Sequence, residues 1–264
     1  MKLAPLFPAD EPLASALAHY RTFGYARLGV VFDEAALALL RERAEDLMLG
    51  RVTYDGMFFQ HDSDSHRYED LSYRQGFVGP SLSYRKLEKL EKDPRFRALI
   101  ENDLFARVAR ALVAQKLVIY RATLFNKSAV GSSPIPWHQD GGSYWGLDRD
   151  PELQIWTALD DVPESSGCVE VIPGSHAAGL ATPLGGVIPD DVLARVLPGS
   201  QTKRLPARAG EVLLIHNYLW HRSGPNESGR VRRAVTVCYM DAATRCLRKK
   251  RAPRTFEPVF DGDG

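Results

Sequence analysis

The stretch Trp137-His138-Gln139-Asp140-Gly141-Gly142-Ser143-Tyr144-Trp145 decides how the chain is read. It follows a run that reads as strand, and side chains two apart on a strand point to the same face. His138 and Asp140 therefore stand together, able to grip one metal ion. The triplet alone is weak, because His-x-Asp arises by chance in many chains. One further histidine changes its meaning, and the candidate is His221.

His221 sits in Leu219-Trp220-His221-Arg222-Ser223-Gly224-Pro225-Asn226, and Arg232-Arg233-Ala234 follow. Two imidazoles and a carboxylate form the facial triad of non-haem Fe(II) oxygenases, which leaves open positions on the metal. Neutral nitrogen and oxygen donors suit Fe(II), and without thiolate spacing zinc is disfavoured. His138 and His221 lie far apart in the sequence, so only a fold that returns the chain to its start unites them. A double-stranded β-helix does that by pairing early strands with late ones.

With these pieces in hand, the chain resembles the phytanoyl-CoA dioxygenase family of Fe(II)/2-oxoglutarate enzymes. The matching pieces are Trp137-His138-Gln139-Asp140, Asp160-Asp161-Val162 leading to Gly167, Val171-Ile172-Pro173-Gly174-Ser175-His176, the His221-x-Ser223-x-x-Asn226 run, and the arginine that follows. They keep the family's order over roughly residues 118 to 240. The resemblance implies iron held by His138, Asp140 and His221, with 2-oxoglutarate and O2 consumed. It also implies that the distal carboxylate of 2-oxoglutarate meets an arginine and a hydroxyl, Arg232 and Ser223 by position. Arginine presents a planar fork matched to a carboxylate. Arg233 is the competitor, but adjacent strand residues face opposite ways, and the spacing of Arg232 from the histidine matches the family's. Trp156 falls where family members place a tryptophan beside the cosubstrate, and Thr123 and Lys86 match contact positions more loosely. Lys86 has charged neighbours in Arg85, Glu88 and Lys89, so a solvated helix face is the competing reading.

Composition agrees with an ordinary soluble globular protein. The 264 residues are 44% hydrophobic and 25% charged, and 34 basic residues oppose 33 acidic ones. No global field draws in nucleic acid or membrane, and no run approaches the ~20 apolar residues of a membrane span. Cys168, Cys238 and Cys246 are an odd number without paired spacing, which argues against a disulfide scaffold or structural zinc and fits a reducing cytoplasm. The N-terminal residues, interrupted by Pro5, Pro8 and Pro12, do not read as a signal peptide. The one basic cluster, Arg245 to Arg251, reads as a solvated tail rather than a nucleic-acid site.

The pattern predicts a mainly β chain with flanking helices around a jelly-roll core, as one domain over 1–264: a helical part over about 1–116, the core over about 117–242 and a tail over 243–264. Helices are expected at 11–22, 34–49, 84–115 and 190–197, and an early strand at 25–31. Core strands are expected at 118–125, 153–159, 168–172, 211–215 and 234–239. The early elements are expected outside the barrel. The irregular stretch 51–80, with Phe58, Phe59, His61, His66, Tyr68, Tyr73 and Phe77, reads equally as part of a substrate pocket or as a surface loop pinned by its aromatics. Trp137 and Trp220, each beside a ligand histidine, are expected to face away into packing. His176 is expected in a turn and not on the metal.

The resemblance therefore implies a dioxygenase hydroxylating an unactivated C–H bond of a small molecule (a natural product, an amino-acid derivative or an acyl compound), with succinate and CO2 as coproducts. Its rivals are a cupin-like metal-binding or sensor protein without redox turnover, and a same-fold halogenase or desaturase. Arg232 with Ser223 counts against the first. Asp140 stands where a halogenase carries a small residue. Nothing in the sequence fixes the oligomeric state.

Overall fold

The computed structural model describes residues 10–72, 76–129, 132–248 and 254–260. Tyr73 and the last three residues of the basic run, 249–251, lie outside them. The strands are β1 (Tyr25–Val30), β2 (Phe58–His61), β3 (Tyr84–Glu88), β4 (Leu117–Lys127), β5 (Ile135–Gln139), β6 (Leu153–Ala158), β7 (Val169–Val171), β8 (Gly186–Val187), β9 (Lys203–Leu205), β10 (Glu211–His216), β11 (His221–Ser223), β12 (Arg232–Asp241) and β13 (Glu257–Val259). The helices are α1 (Asp10–Phe23), α2 (Glu34–Met48), α3 (Pro94–Ile100), α4 (Asp103–Leu112) and α5 (Asp190–Val196).

Two antiparallel sheets face each other. The larger runs β1-β10-β6-β12-β4-β3-β2, with β13 beside β4, and the smaller runs β8-β5-β11-β7-β9. Early and late strands interleave, as in a double-stranded β-helix. Alternation along each strand assigns the two faces of the larger sheet. One face carries Leu124, Val235, Val237, Ile155 and Leu214 against Leu37, Leu40, Phe96, Leu99 and Val108 of the helices. Burying each such side chain stabilises the fold by roughly 1.5–3 kcal/mol. The other face meets the smaller sheet, where Trp156, Leu213 and Ala234 pack with Val169, Val171 and Leu205.

The expected helix over 84–115 is corrected by the structure. Tyr84–Glu88 is strand, pairing Lys86 with Phe125 of β4 on one side and with Gln60 of β2 on the other. Lys89 takes a left-handed conformation at φ 68°, and helix starts only at Pro94, where the Asp93 carboxylate accepts from the N–H groups of Arg95 and Phe96. Asn102 caps a second start at Asp103. Sheet pairing here overrides local helix propensity. The early strand also differs from its expected place, since β1 joins the larger sheet at its edge against β10. The helices do pack outside. No helix among the described residues is long and apolar enough to cross a membrane.

His216 closes β10 and is packed against His176, with ring centroids 4.8 Å apart. Its Nδ1 accepts the Tyr218 N–H at 3.0 Å. Burial, and secondarily His176, depress its pKa to about 4. The unfolded chain therefore takes up this proton first, near pH 6.5. The associated stability is fully present above that pH and is lost as pH falls toward 4. We predict that this histidine removes about 2 kcal/mol between pH 7.5 and 5, and that His216→Asn shows a correspondingly smaller loss in denaturant melts at the two pH values.

Candidate metal centre

β5 and β11 are neighbours in the smaller sheet, with His138 directly opposite His221. Their ring centroids lie 3.9 Å apart. Asp140 follows β5, its N–H tied to the Asn217 carbonyl at 2.8 Å. Donor atoms of the three residues all fall within 4.8 Å of one another. Both imidazoles are oriented the same way: Nδ1 of His138 meets the Pro136 carbonyl at 2.9 Å, and Nδ1 of His221 meets the Leu219 carbonyl at 2.8 Å. A proton donated there leaves each Nε2 lone pair for a metal. Burial, then His138, lowers the His221 pKa to about 4, so the ring is a neutral donor.

The carboxylate is equally constrained. Arg121 Nη2 donates to Asp140 Oδ1 at 2.9 Å, and Gln154 Nε2 donates to Oδ2 at 2.6 Å. Burial would raise the carboxyl pKa, but Arg121 and then the two imidazoles outweigh it and hold it well below the usual range. The guanidinium of Arg121 lies 4.7 Å over the Trp145 ring, which itself stacks on Tyr120 at 4.3 Å. Two imidazoles that present Nε2 and an ionised carboxylate suit Fe(II) by donor type.

His138, Asp140 and His221 line a cavity together with Arg232, Ser223, Trp156 and Lys86. Seven of the eight predicted site residues thus share one space. Thr123, the eighth, is buried on β4 with its Oγ1 lacking a partner among the described residues. Arg232 points inward and Arg233 outward. Arg233 grips Asp160 through Nε at 2.9 Å and Nη2 at 3.1 Å, and reaches Glu45 at 2.9 Å. Arg232 is 3% exposed and donates to the Gly167 carbonyl and to Ser223 Oγ. Its Nε has no partner, and burial lowers its pKa to about 10. Lys86 is not on a solvated helix face, since it lies on β3, half-buried, and pairs with Glu88 at 2.5 Å.

Gln60, Asp62 and Tyr68 of the 51–80 stretch form part of the cavity wall. Phe59, His61 and Phe77 instead pack around Tyr84. The stretch thus contributes residues both to the cavity wall and to an aromatic cluster. Trp137 and Trp220 pack with Ile172 and Ile188 away from the metal donors, and His176 lies in the turn Ser175–Ala178. Of the basic tail, Arg245 pairs with Asp148 at 3.0 Å and Arg248 donates to the Tyr144 carbonyl at 2.8 Å.

Sequence reasoning missed Arg121, Gln154 and Lys127, all of which line the cavity. The signal was alternation: Arg121 and Lys127 share strand parity with Thr123, and Gln154 precedes Trp156 by two.

Comparison with known proteins agrees with this geometry. The family profile described as Phytanoyl-CoA dioxygenase (PhyH) matches residues 20–234. The chain belongs to the phytanoyl-CoA dioxygenase family. One relative, Phytanoyl-CoA dioxygenase domain-containing protein 1 of Bos taurus, is 31% identical over 159 residues, 57% of this chain and 54% of the relative. Another family-like match, L-proline trans-4-hydroxylase of Streptomyces griseoviridis, is 27% identical over 164 residues, 53% of this chain and 61% of that protein. The chain thus spans about half the length of the bovine relative. The crystal structure of EctD from S. alaskensis with 2-oxoglutarate and 5-hydroxyectoine superposes with TM-score 0.73 at 21% identity, covering 98% of this chain and 91% of that one. This last likeness speaks to the fold.

Gln154 gives a direct test of how the site is held. Gln154→Leu removes one of the two donors on Asp140, and metal affinity should fall by about 10–100-fold, the usual cost of losing an outer partner of a ligand. Titration with Co(II), followed by its visible absorption, measures the loss.

Proposed function

We propose that the chain is a non-haem Fe(II)- and 2-oxoglutarate-dependent oxygenase, residues 1–264 acting as one domain. It hydroxylates an unactivated C–H bond of a small molecule, consuming O2 and releasing succinate and CO2. One arrangement carries the proposal: metal donors from His138, Asp140 and His221 share a cavity with a buried arginine that has no carboxylate partner.

In this reading His138 and His221 hold iron through Nε2, and Asp140 through its carboxylate. Arg121 and Gln154 keep Asp140 ionised and aimed. Bound iron and 2-oxoglutarate together supply the oxidising power that breaks a C–H bond. Arg232 and Ser223 bind the distal carboxylate of 2-oxoglutarate, while Trp156 and Lys86, which line the same cavity, flank the cosubstrate. Phe125, Ile135, Trp156, Val169 and Ile215 give the cavity apolar walls, which limit water at the reacting centre. A small polar substrate is supported by two names among the similar proteins, a hydroxylase of L-proline and a structure holding 5-hydroxyectoine. The carboxylate at Asp140 favours hydroxylation over halogenation, since it occupies the position a halide would need.

The wild-type protein should release succinate when given 2-oxoglutarate, Fe(II) and O2, and His138→Ala and His221→Ala should each abolish this. Wild-type iron content and rate in both variants would overturn the metal assignment. Arg232→Ala should weaken 2-oxoglutarate binding by about 2–5 kcal/mol, a loss of roughly thirtyfold or more, with iron binding intact. Arg233→Ala should leave 2-oxoglutarate affinity unchanged and lower the unfolding midpoint instead, because its partners Asp160 and Glu45 lie on the outer side of the sheet. The charge-transfer band of the anaerobic Fe(II) complex reads the first effect, and thermal melts read the second.

A further inference from the structure

Lys127 stands directly opposite Arg232 in the register of β4 and β12, so the two side chains leave the same face of the sheet. Both line the cavity, and they are 5% and 3% exposed. The Lys127 ammonium donates to the carbonyls of Ser133, at 3.4 Å, and Gly224. Arg232 donates to the Gly167 carbonyl and, at 3.3 Å, to Ser223 Oγ, leaving its Nε unpaired.

The two anchoring glycines are pressed together. Gly167 adopts φ 69°, and a Cβ built on it would lie 2.2 Å from the Gly224 carbonyl oxygen. This close approach sets the anchors of the two cations side by side. Carbonyl dipoles orient such charges but do not neutralise them. Among the described residues no carboxylate lies within ion-pair distance of either group. Asp62 acts on Lys127 from further away, and its oxygens are taken by the N–H and hydroxyl of Ser133. Burial first, then Arg232 and Arg85, push the Lys127 ammonium well below its usual range. Two like charges side by side in a buried place destabilise each other unless an anion joins them. Lys86, by contrast, already has its carboxylate in Glu88.

We propose that Lys127 is a second cationic ligand of the cosubstrate's distal carboxylate, which sits between its ammonium and the guanidinium of Arg232. The assignment rests on the 2-oxoglutarate reading above. It predicts that recognition of the distal carboxylate is shared among β4, β11 and β12 rather than carried by Arg232 and Ser223 alone. It also separates two parts of the cosubstrate: Lys127 answers to the distal carboxylate and not to the keto-acid head at the metal.

The test is binding, not turnover. Anaerobic Fe(II) protein is titrated with 2-oxoglutarate and, separately, with 2-oxobutyrate, which has the same keto-acid head and no distal carboxylate. Lys127→Met should weaken 2-oxoglutarate binding about tenfold or more, the order expected for losing a buried charge partner, and leave 2-oxobutyrate binding unchanged. Lys127→Arg should recover most of the loss. If Lys127→Met does not fold, Lys127→Gln provides the same readout. Wild-type affinity for 2-oxoglutarate in the neutral variants, or an equal loss for both keto acids, overturns the assignment. Arg232→Met run beside it keeps the two readings apart: loss of 2-oxoglutarate there, with none in Lys127→Met, overturns the Lys127 role alone. A wild-type protein indifferent to 2-oxoglutarate overturns both.

Discussion

His221 and His138 face each other across one antiparallel pair, and the rest of the site is arranged around that pairing. Each histidine sends Nδ1 back to the carbonyl two residues before it. The strand itself thereby fixes the tautomer and aims Nε2, with no further side chain needed. Asp140 sits just past the end of β5, where its backbone is tied to Asn217. Three donors from two distant segments thus converge because the smaller sheet pairs them, and a slip of one residue would turn one imidazole out of the cavity.

The larger sheet supplies the side chains that support the Asp140 carboxylate. Its inner face presents Arg121 and Gln154 to Asp140, then Trp156 and Thr236, then Lys127 and Arg232 further along. Its outer face is apolar and covered by helices. The inner face can carry this much charge because the outer face holds the fold. The division of labour is sharpest at Arg232 and Arg233. One guanidinium is buried without a carboxylate, and its neighbour on the other face is saturated by Asp160 and Glu45.

A cation-rich interior has a cost, since burial opposes charge on Lys86, Lys127 and Arg232 alike. The chain answers it unequally. Lys86 has Glu88 and Arg121 has Asp140, while Arg232 and Lys127 rest on backbone carbonyls.

The sequence by itself singled out His138, Asp140 and His221, which the fold brings together, because His138 and Asp140 share strand parity and His221 lies in a run whose flanks are distinctive. Parity also separated Arg232 from Arg233, and the apolar rhythm located most core strands and the packing roles of Trp137 and Trp220. Only the tertiary structure decided that Tyr84–Glu88 is strand, since that short run forms pairs with β2 and β4 that local propensity cannot register. Only it brought Arg121 and Gln154 to Asp140, because each comes from a strand whose neighbours are set by sheet order rather than by sequence distance. The same holds for Lys127: its sequence neighbours make it an ordinary lysine, and its burial beside Arg232 follows from a cross-strand register between residues more than a hundred positions apart.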